Sequence, residues 1–156
     1  MIEIKEIHCA KEKAHICDEI LRGLPAWFGI EASIVDYTNQ VQSLPFYGAF
    51  DGEKPVGFVA VKEHTPAAAE ICVMGILEDY HRRGIGKQLI VCSEAYCRER
   101  GMSFLTVKTL DASRTCESYG KTRAFYLSAG FLPLEVFPLL WDAENPCLFL
   151  AKYLGK

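Results

Sequence analysis

Residues 69–110 read AEICVMGILEDYHRRGIGKQLIVCSEAYCRERGMSFLTVKTL. This stretch begins and ends with short apolar runs that are typical of strands, at 70–76 and 104–110. Between them, 84–100 is predicted as an amphipathic helix, because apolar side chains recur at helical spacing at Ile85, Leu89, Cys92 and Tyr96. A helix that joins two strands in this way connects neighbouring parallel strands by a right-handed crossover. The stretch therefore predicts a parallel strand pair in an α/β sheet.

The segments on the amino-terminal side predict a strand, two helices and a hairpin. IEIKEI at 2–7 alternates apolar and charged residues as a half-buried strand does, and helical patterns follow at 10–24 and 31–42. Asp51-Gly52, a dipeptide that tolerates positive φ, separates two β-rich runs. With the strand at 70–76, these runs predict an antiparallel meander of three strands.

The segments on the carboxyl-terminal side complete the expected fold. A polar loop at 111–121 leads into a helix at 122–130, and two strands follow at 131–141 and 147–154. The element order is β-α-α-β-β-β-α-β-α-β-β. It predicts one α/β domain of the α+β type over 1–156, with a single mixed, mostly antiparallel central sheet of six or seven strands and about four helices.

Composition and charge exclude several classes of protein. Half of the 156 residues are apolar and 24% are charged, which suits a globular domain. A net charge of −3 provides no general attraction to nucleic acid or to an anionic membrane, and no stretch approaches the ~20 apolar residues of a membrane span. The seven cysteines form no C-x-x-C pair or zinc-ligand pattern, and the amino terminus lacks a signal-peptide core. We expect a cytoplasmic protein with reduced thiols and no metal.

The basic loop at 81–87, HRRGIGK, is the strongest sign of a ligand. The first turn of a helix leaves backbone N–H groups unpaired and carries a partial positive charge, and glycines let an anion approach that backbone closely. The loop therefore predicts a diphosphate cradle. It matches neither the P-loop nor the dinucleotide fingerprint, and the alternative is a solvated basic turn. The residues expected to contact the anion are His81, Arg82, Arg83, Gly84, Ile85, Gly86 and Lys87.

HRRGIG at 81–86 resembles the acyl-CoA pyrophosphate loop of the GNAT superfamily of N-acetyltransferases. That loop has the pattern Q/R-x-x-G-x-G/A after a strand, and His81 replaces the usual first residue. RAFYLSAGF at 123–131 resembles the family's second element, a helix that ends in F-Y-x-x-x-G-F. The resemblance implies a GNAT-like fold in which two splayed strands, 70–76 and 104–110, form a wedge for acetyl-CoA. It also implies that the pantetheine arm bonds to the main chain of Met74 and Ile76, with Gly75 as a candidate bulge between them.

The implied reaction is direct attack of a primary amine of a small molecule or peptide on the thioester of acetyl-CoA, in a ternary complex. Tyr126, in the second element, is then the expected general acid toward the coenzyme sulfur, and its alternative role is a core aromatic beside Phe125 and Phe131. Glu70 is the expected base, because strand alternation places it on one face with Cys72, Met74 and Ile76. The alternative for Glu70 is a solvent-facing strand end, and Glu63 and His64 are weaker candidates for the base.

The acceptor and the partners are less clearly indicated. Candidate walls of an amine pocket are aromatic and charged residues, namely Trp27, Phe28, Glu31, Asp36, Tyr119, Arg123 and Trp141. The loop at 111–121 has Tyr119 where the family often has an Asn that contacts the coenzyme. The apolar strands at the carboxyl end are compatible with a homodimer. A non-catalytic acyl-CoA-binding or regulatory module is the alternative to an enzyme.

Overall fold

A computed structural model describes residues 1–155 of the chain. The elements, in chain order, are β1 (Ile2–Glu6), α1 (Ala10–Arg22), α2 (Glu31–Gln40), β2 (Phe46–Asp51), β3 (Lys54–Thr65), β4 (Ala68–Ile76), α3 (Ile85–Glu99), β5 (Phe104–Leu110), α4 (Glu117–Ser128), β6 (Leu132–Asp142) and β7 (Asn145–Tyr153). Short 3-10 turns follow α2, at Val41–Ser43, and precede the basic loop, at Glu78–Tyr80. The predicted order of strands and helices is therefore confirmed.

The strands form one mixed sheet in the order β1-β2-β3-β4-β5-β7-β6. The β1–β2, β2–β3, β5–β7 and β6–β7 pairs are antiparallel. The order places β4 next to β5, the pair that the crossover through α3 predicted to be parallel. The predicted fold class, a single and mostly antiparallel mixed sheet with four helices, is confirmed.

The chain divides into two compact units, and the first consists of 1–62 and 71–95. Its core lies where the amphipathic α1 and α2 bury their apolar faces together with residues of β2, β3 and β4. Phe46 and Phe58 stack at its centre with their ring centroids 5.2 Å apart. Fully burying one such side chain contributes about 1.5–3 kcal/mol. Burial of the apolar faces of these helices therefore stabilises the unit that contains the basic loop.

The second unit consists of 63–70 and 96–156, of which residues up to 155 are described. Its strands β5, β7 and β6 are antiparallel neighbours, and Leu105, Phe131 and Leu150 are buried among its elements. In contrast, almost every residue of β6 is exposed. The apolar run that was predicted as a strand therefore lies largely on the surface, because β6 pairs with β7 alone in the described part of this unit.

Helix α4 begins earlier than predicted. It starts at Glu117, so the second half of the predicted loop 111–121 is helical, and the amide of Gly120 donates to the carbonyl of Cys116 at 2.9 Å. Ser118 and Gly120 have low helix propensity, which is why the helical pattern was not visible before residue 122. Helix α2 likewise ends at Gln40 rather than residue 42, because a 3-10 turn follows it.

The described residues include no helix long and apolar enough to cross a membrane.

Candidate active site

The basic loop has an unusual backbone that leaves its amides available. Arg82 and Gly84 have φ of +64° and +79°, in the left-handed region. No backbone carbonyl within residues 1–155 accepts a hydrogen bond from the amides of 82–87, and α3 begins at Ile85. Left-handed residues in such a turn direct successive N–H groups into one concavity, which the helix dipole makes still more favourable for an anion.

The space above the loop is open. A Cβ added at Gly84 would meet no heavy atom within 4 Å. The Arg82 and Lys87 side chains are exposed, and neither has an ion-pair partner in the part of the chain that the structure describes. An open concavity of amides beside two exposed cations fits a diphosphate.

Arg83 and His81, the other two basic residues of the loop, contact the protein itself. The Arg83 guanidinium lies over the Tyr80 ring, 4.8 Å from its centroid. The Tyr80 hydroxyl in turn donates to Asp51 at 2.7 Å, and this hydrogen bond raises the pKa of Tyr80. Arg83 is thus held at the edge of the loop by an aromatic face that is itself anchored to the β2–β3 turn.

His81 ties the loop to the end of β4. Its Nε2 lies 2.6 Å from the carbonyl oxygen of Ile76, and its ring meets Trp27 edge-on with the centroids 5.6 Å apart. Because a carbonyl can only accept, Nε2 must carry the proton. The imidazole therefore connects the end of β4 to the loop through this hydrogen bond. The sequence had instead suggested that His81 is a fourth basic side chain for the ligand.

Strand β4 departs from regular alternation before the loop. The Cys72 thiol lies 3.6 Å from the side-chain oxygen of Gln40 in α2, and a Cβ at Gly75 would lie 3.1–3.5 Å from Ile20 and Leu21 of α1 and from Leu24 just after it. Residues three apart on a regular strand face opposite sides, yet here both face the α1/α2 layer. The bulge expected near Gly75 stays a prediction. Met74 is half-buried.

Glu70 is buried and multiply hydrogen-bonded. Its side chain is 12% exposed. Its Oε1 lies 2.6 Å from Nε2 of His64, and Nζ of Lys108 in β5 donates to both carboxylate oxygens at 3.2 Å. The alternative of a solvent-facing strand end is therefore wrong. Lys108 was missed by sequence reasoning, although a lysine inside the apolar strand FLTVKTL was a signal that it needed a partner.

Tyr126 is buried in α4. Its ring meets those of Phe125 and Phe131 at centroid distances of 5.3 and 5.5 Å, with both contacts edge-on. The packing that was foreseen as its alternative role is therefore present. These aromatic contacts would hold the phenol in a defined orientation, which a proton donor also requires.

The residues predicted to line an amine pocket have several different environments. Trp27 contacts His81, Phe28 meets Tyr37 edge-on with the centroids 6.2 Å apart, and Glu31 forms a bidentate pair with Arg22 at 2.7 and 2.9 Å. Asp36 accepts a hydrogen bond from Gln40 at 2.8 Å.

In the second unit, Arg123 donates to the carbonyl of Leu110 at 2.6 Å, Trp141 is exposed on β6, and desolvation raises the pKa of the half-buried Tyr119. Glu31 and Arg123 are thus already engaged, whereas Trp141 presents an exposed ring.

Residues 1–155 contain no group of three or more His, Cys, Asp or Glu side chains arranged to hold a metal ion.

Comparison with known proteins places this geometry in a family. The model of the acetyltransferase (GNAT) family matches residues 14–131. Mycothiol acetyltransferase from Corynebacterium glutamicum is 40% identical over 52 residues, a match that covers 33% of this chain and 18% of that protein. The chain thus aligns with about a fifth of the length of the curated relatives that it matches.

Similar solved structures cover nearly the whole chain. A GNAT-family protein from Desulfovibrio desulfuricans superposes with a TM-score of 0.84 at 14% identity, over 99% of this chain and 100% of that one. An aminoglycoside 6'-N-acetyltransferase complexed with coenzyme A has a TM-score of 0.76 at 17% identity, over 99% and 98%. The ribosomal-protein-S18-alanine N-acetyltransferase from Escherichia coli has a TM-score of 0.76 at 16% identity, over 100% and 96%. The fold and the family model agree, and the chain belongs to the acetyltransferase (GNAT) family.

Proposed function

We propose that this acetyltransferase moves the acetyl group of acetyl-CoA to a primary amine of a small molecule or peptide, by direct attack in a ternary complex. The observation that carries the proposal is the open concavity formed by the amides of 82–87 at the start of α3, in a chain of the GNAT family. The names of two structural neighbours also support an amine acceptor, since one acetylates aminoglycosides and another an alanine of a ribosomal protein.

Acetyl-CoA is the cosubstrate that best fits the loop. The amides of 82–87 would hold its diphosphate, with the exposed Arg82 and Lys87 as counter-charges and Gly84 and Gly86 allowing close approach. The main chain of Met74 and Ile76 would bond to the pantetheine amides. His81 and Arg83 would hold the loop in shape beside Ile85. When bound, acetyl-CoA supplies the thioester that the amine attacks.

Two groups of the second unit have the chemistry for the proton transfers. Glu70 provides a buried negative charge that favours deprotonation of the incoming ammonium, directly or through a water. Tyr126 would donate its phenol proton to the departing thiolate sulfur. The amine nitrogen bonds to the carbonyl carbon and the carbon–sulfur bond breaks. One of the two amine protons leaves on the side of Glu70 and passes to solvent, and the other replaces the proton that Tyr126 gave to sulfur.

Three wider proposals accompany this function. Residues 1–156 act as one acetyltransferase domain that binds neither nucleic acid nor membrane. Its location is cytoplasmic, which is supported by the scattered spacing of the seven cysteines, without a C-x-x-C pair.

The third is that two copies of the chain form a homodimer through the surface of β6. Its exposed apolar residues are Leu132, Leu134, Val136, Leu139, Leu140 and Trp141. An apolar outer strand is normally covered in a native protein. Light scattering after gel filtration of wild type and of Leu139→Glu would test this, because only the wild type should elute as a dimer.

The function is tested by thermal shift with acetyl-CoA, free CoA and ATP, followed by thiol release from acetyl-CoA with kanamycin, spermidine and an alanine-initiated hexapeptide. A shift with both CoA species, little shift with ATP, and thiol release with at least one amine are expected. A shift without thiol release from any amine would favour the alternative, a non-catalytic acyl-CoA-binding module. Absence of a shift with both CoA species would contradict the proposal.

A further inference from the structure

The cluster of His64, Glu70 and Lys108 contains a second group that is able to move a proton. His64 lies near the end of β3, Glu70 near the start of β4 and Lys108 in β5, all within the second unit. The Glu70 carboxylate lies between the other two side chains, 2.6 Å from Nε2 of His64 and 3.2 Å from Nζ of Lys108. The sequence suggested His64 only as a minor alternative to Glu70.

Hydrogen-bond chemistry determines which atoms of this cluster are still available. An ionised carboxylate only accepts, and the Lys108 ammonium donates to both of its oxygens. The imidazole must therefore donate from Nε2, which leaves Nδ1 as the nitrogen with a lone pair when the ring is neutral. The Glu70 oxygens are engaged, whereas the ring of His64 is 40% exposed. Of the two partners, His64 has the more accessible basic atom.

The surroundings of His64 favour it over its neighbour Glu63. Glu63 accepts a hydrogen bond from the Tyr96 hydroxyl and lies 3.9 Å from the Arg100 guanidinium, so its carboxylate is already committed. His64 lines an open cavity of about 590 Å³ together with Glu63, Thr65, Pro66, Arg100 and Met102. This opening gives the imidazole a direct route to bulk water.

We propose that Nδ1 of His64 accepts the proton of the amine, directly or through one water, and that Glu70 holds the imidazole by its other nitrogen. This proposal deepens the proposed function and rests on it. Lys108 keeps the Glu70 charge in place in the resting state. The arrangement of carboxylate and imidazole is the one by which hydrolytic triads orient a base and stabilise the imidazolium that forms.

The proton balance is complete without any further reagent. The ammonium loses one proton to Nδ1, which gives a free amine and an imidazolium whose Nε2–H still donates to Glu70. The free amine attacks the thioester carbonyl, the carbon–sulfur bond breaks, and the thiolate takes the phenol proton of Tyr126. The acetylated nitrogen loses its second proton to the phenolate, and the imidazolium returns its proton to water through the open cavity.

Several charged or titratable side chains surround the imidazole. On its own strand there is Glu63, on β4 Glu70, on β5 Lys108 and, in the turn just after α3, Arg100. Cys147 of β7 is close enough to Glu70 and Lys108 for both charges to act on it, and its thiol is neutral at neutral pH because burial raises its pKa. Two carboxylates therefore face two cations around the ring.

The first test observes the imidazole itself and needs no amine substrate. Long-range proton–nitrogen correlation spectra distinguish a protonated ring nitrogen from one with a lone pair, and the His64 signals are identified by their loss in His64→Asn. We expect the neutral ring to carry its proton on Nε2 in the wild type, and to mix both forms in Glu70→Ala. A lone pair on Nε2 in the wild type would overturn the proposal.

The second test measures turnover with the amine of the panel that releases thiol fastest. His64→Asn should lower kcat by ~10²–10⁴, the usual contribution of general base catalysis. Added imidazole should restore part of the activity to His64→Gly. His8→Asn, at an exposed histidine away from the cluster, is the matched control and should behave as wild type.

The outcomes distinguish a wrong assignment of the base to His64 from a failure of the proposed function itself. If His64→Asn retains kcat within about threefold of wild type while Glu70→Gln is inactive, Glu70 is itself the base and the assignment to His64 is wrong. If the wild type releases no thiol with any amine, the proposed function fails, and the spectra still decide which nitrogen of His64 is basic. Unchanged thermal shifts with acetyl-CoA in every variant exclude a loss of coenzyme binding as the cause.

Discussion

Replacing Gly84 by alanine allows the stability lost through backbone strain to be measured separately from the loss of acetyl-CoA binding. Gly84 has φ of +79°, and a Cβ there would meet nothing within 4 Å, so Gly84→Ala introduces strain without a clash. Left-handed backbone costs an L-residue about 1–2 kcal/mol. At ~2–4 °C per kcal/mol for a chain of this size, Tm should fall by about 2–8 °C.

A matched control lies just beyond the other end of the same helix. Gly101 has φ of +72° and likewise no heavy atom within 4 Å of an added Cβ. Gly101→Ala should therefore lower Tm by a similar amount. Because Gly101 is outside the basic loop, only Gly84→Ala should affect acetyl-CoA.

The expected loss of acetyl-CoA affinity in Gly84→Ala follows from the hydrogen bonds that the added methyl group would break. The new methyl group would occupy the open space where the diphosphate must approach, and losing one or two charge-assisted hydrogen bonds costs about 1.5–3 kcal/mol. That is roughly a 10- to 150-fold loss in affinity. At a concentration of 100 times the wild-type Kd, acetyl-CoA stabilises the wild type by ~2.7 kcal/mol, or about 5–11 °C. After a 100-fold loss in affinity the same concentration contributes ~0.4 kcal/mol, or about 1–2 °C.

The assay is differential scanning fluorimetry of the wild type and both variants, with and without acetyl-CoA. The expected pattern is a similar fall in Tm for both variants and an acetyl-CoA shift that is lost only in Gly84→Ala. A full acetyl-CoA shift in Gly84→Ala would refute the assignment of the loop as the diphosphate cradle. An equal loss of the shift in Gly101→Ala would show that general destabilisation is the cause.

Three further predictions concern single side chains. Tyr126→Phe should lower kcat by ~10²–10⁴ and leave the acetyl-CoA thermal shift unchanged, because only the phenol proton is removed; unchanged thiol release would exclude Tyr126 as the acid. In mass-spectrometric labelling at pH 7, iodoacetamide should modify the exposed Cys9 and spare Cys17, whose pKa is raised to about 12 by burial; fast labelling of Cys17 in the folded protein would contradict this. The pKa of Asp111 is lowered chiefly by hydrogen bonds from Ser113, so the free energy of unfolding of Asp111→Asn should be about 0.5 kcal/mol below that of the wild type above pH ~4. This difference should disappear as acid protonates the folded carboxyl, and equilibrium urea unfolding at pH 7 and pH 2.5 would measure it.

Interactions over short sequence distances explain why so much of the fold was predictable. The helical spacing of Ile85, Leu89 and Tyr96 is a property of the chain within a few turns, and all three residues are buried on α3 as expected. The Asp51-Gly52 turn is equally local, and Gly52 has φ of +63°. The same reasoning failed at the start of α4, where residues of low propensity are helical because the surrounding structure outweighs a weak local preference.

The sequence by itself determined the element order, the position of the basic loop at the start of α3 and the resemblance to the family, because periodicity, glycine placement and motif spacing are all properties of short segments. Only the tertiary structure decided which side chains meet. Lys108 contacts Glu70 across 38 residues of chain, and Cys72 meets Gln40 across 32. The turn of His81 back to the Ile76 carbonyl spans only five residues, yet it also depends on packing against Trp27. Such contacts depend on where folded elements lie in space, and no periodicity along the chain encodes that arrangement.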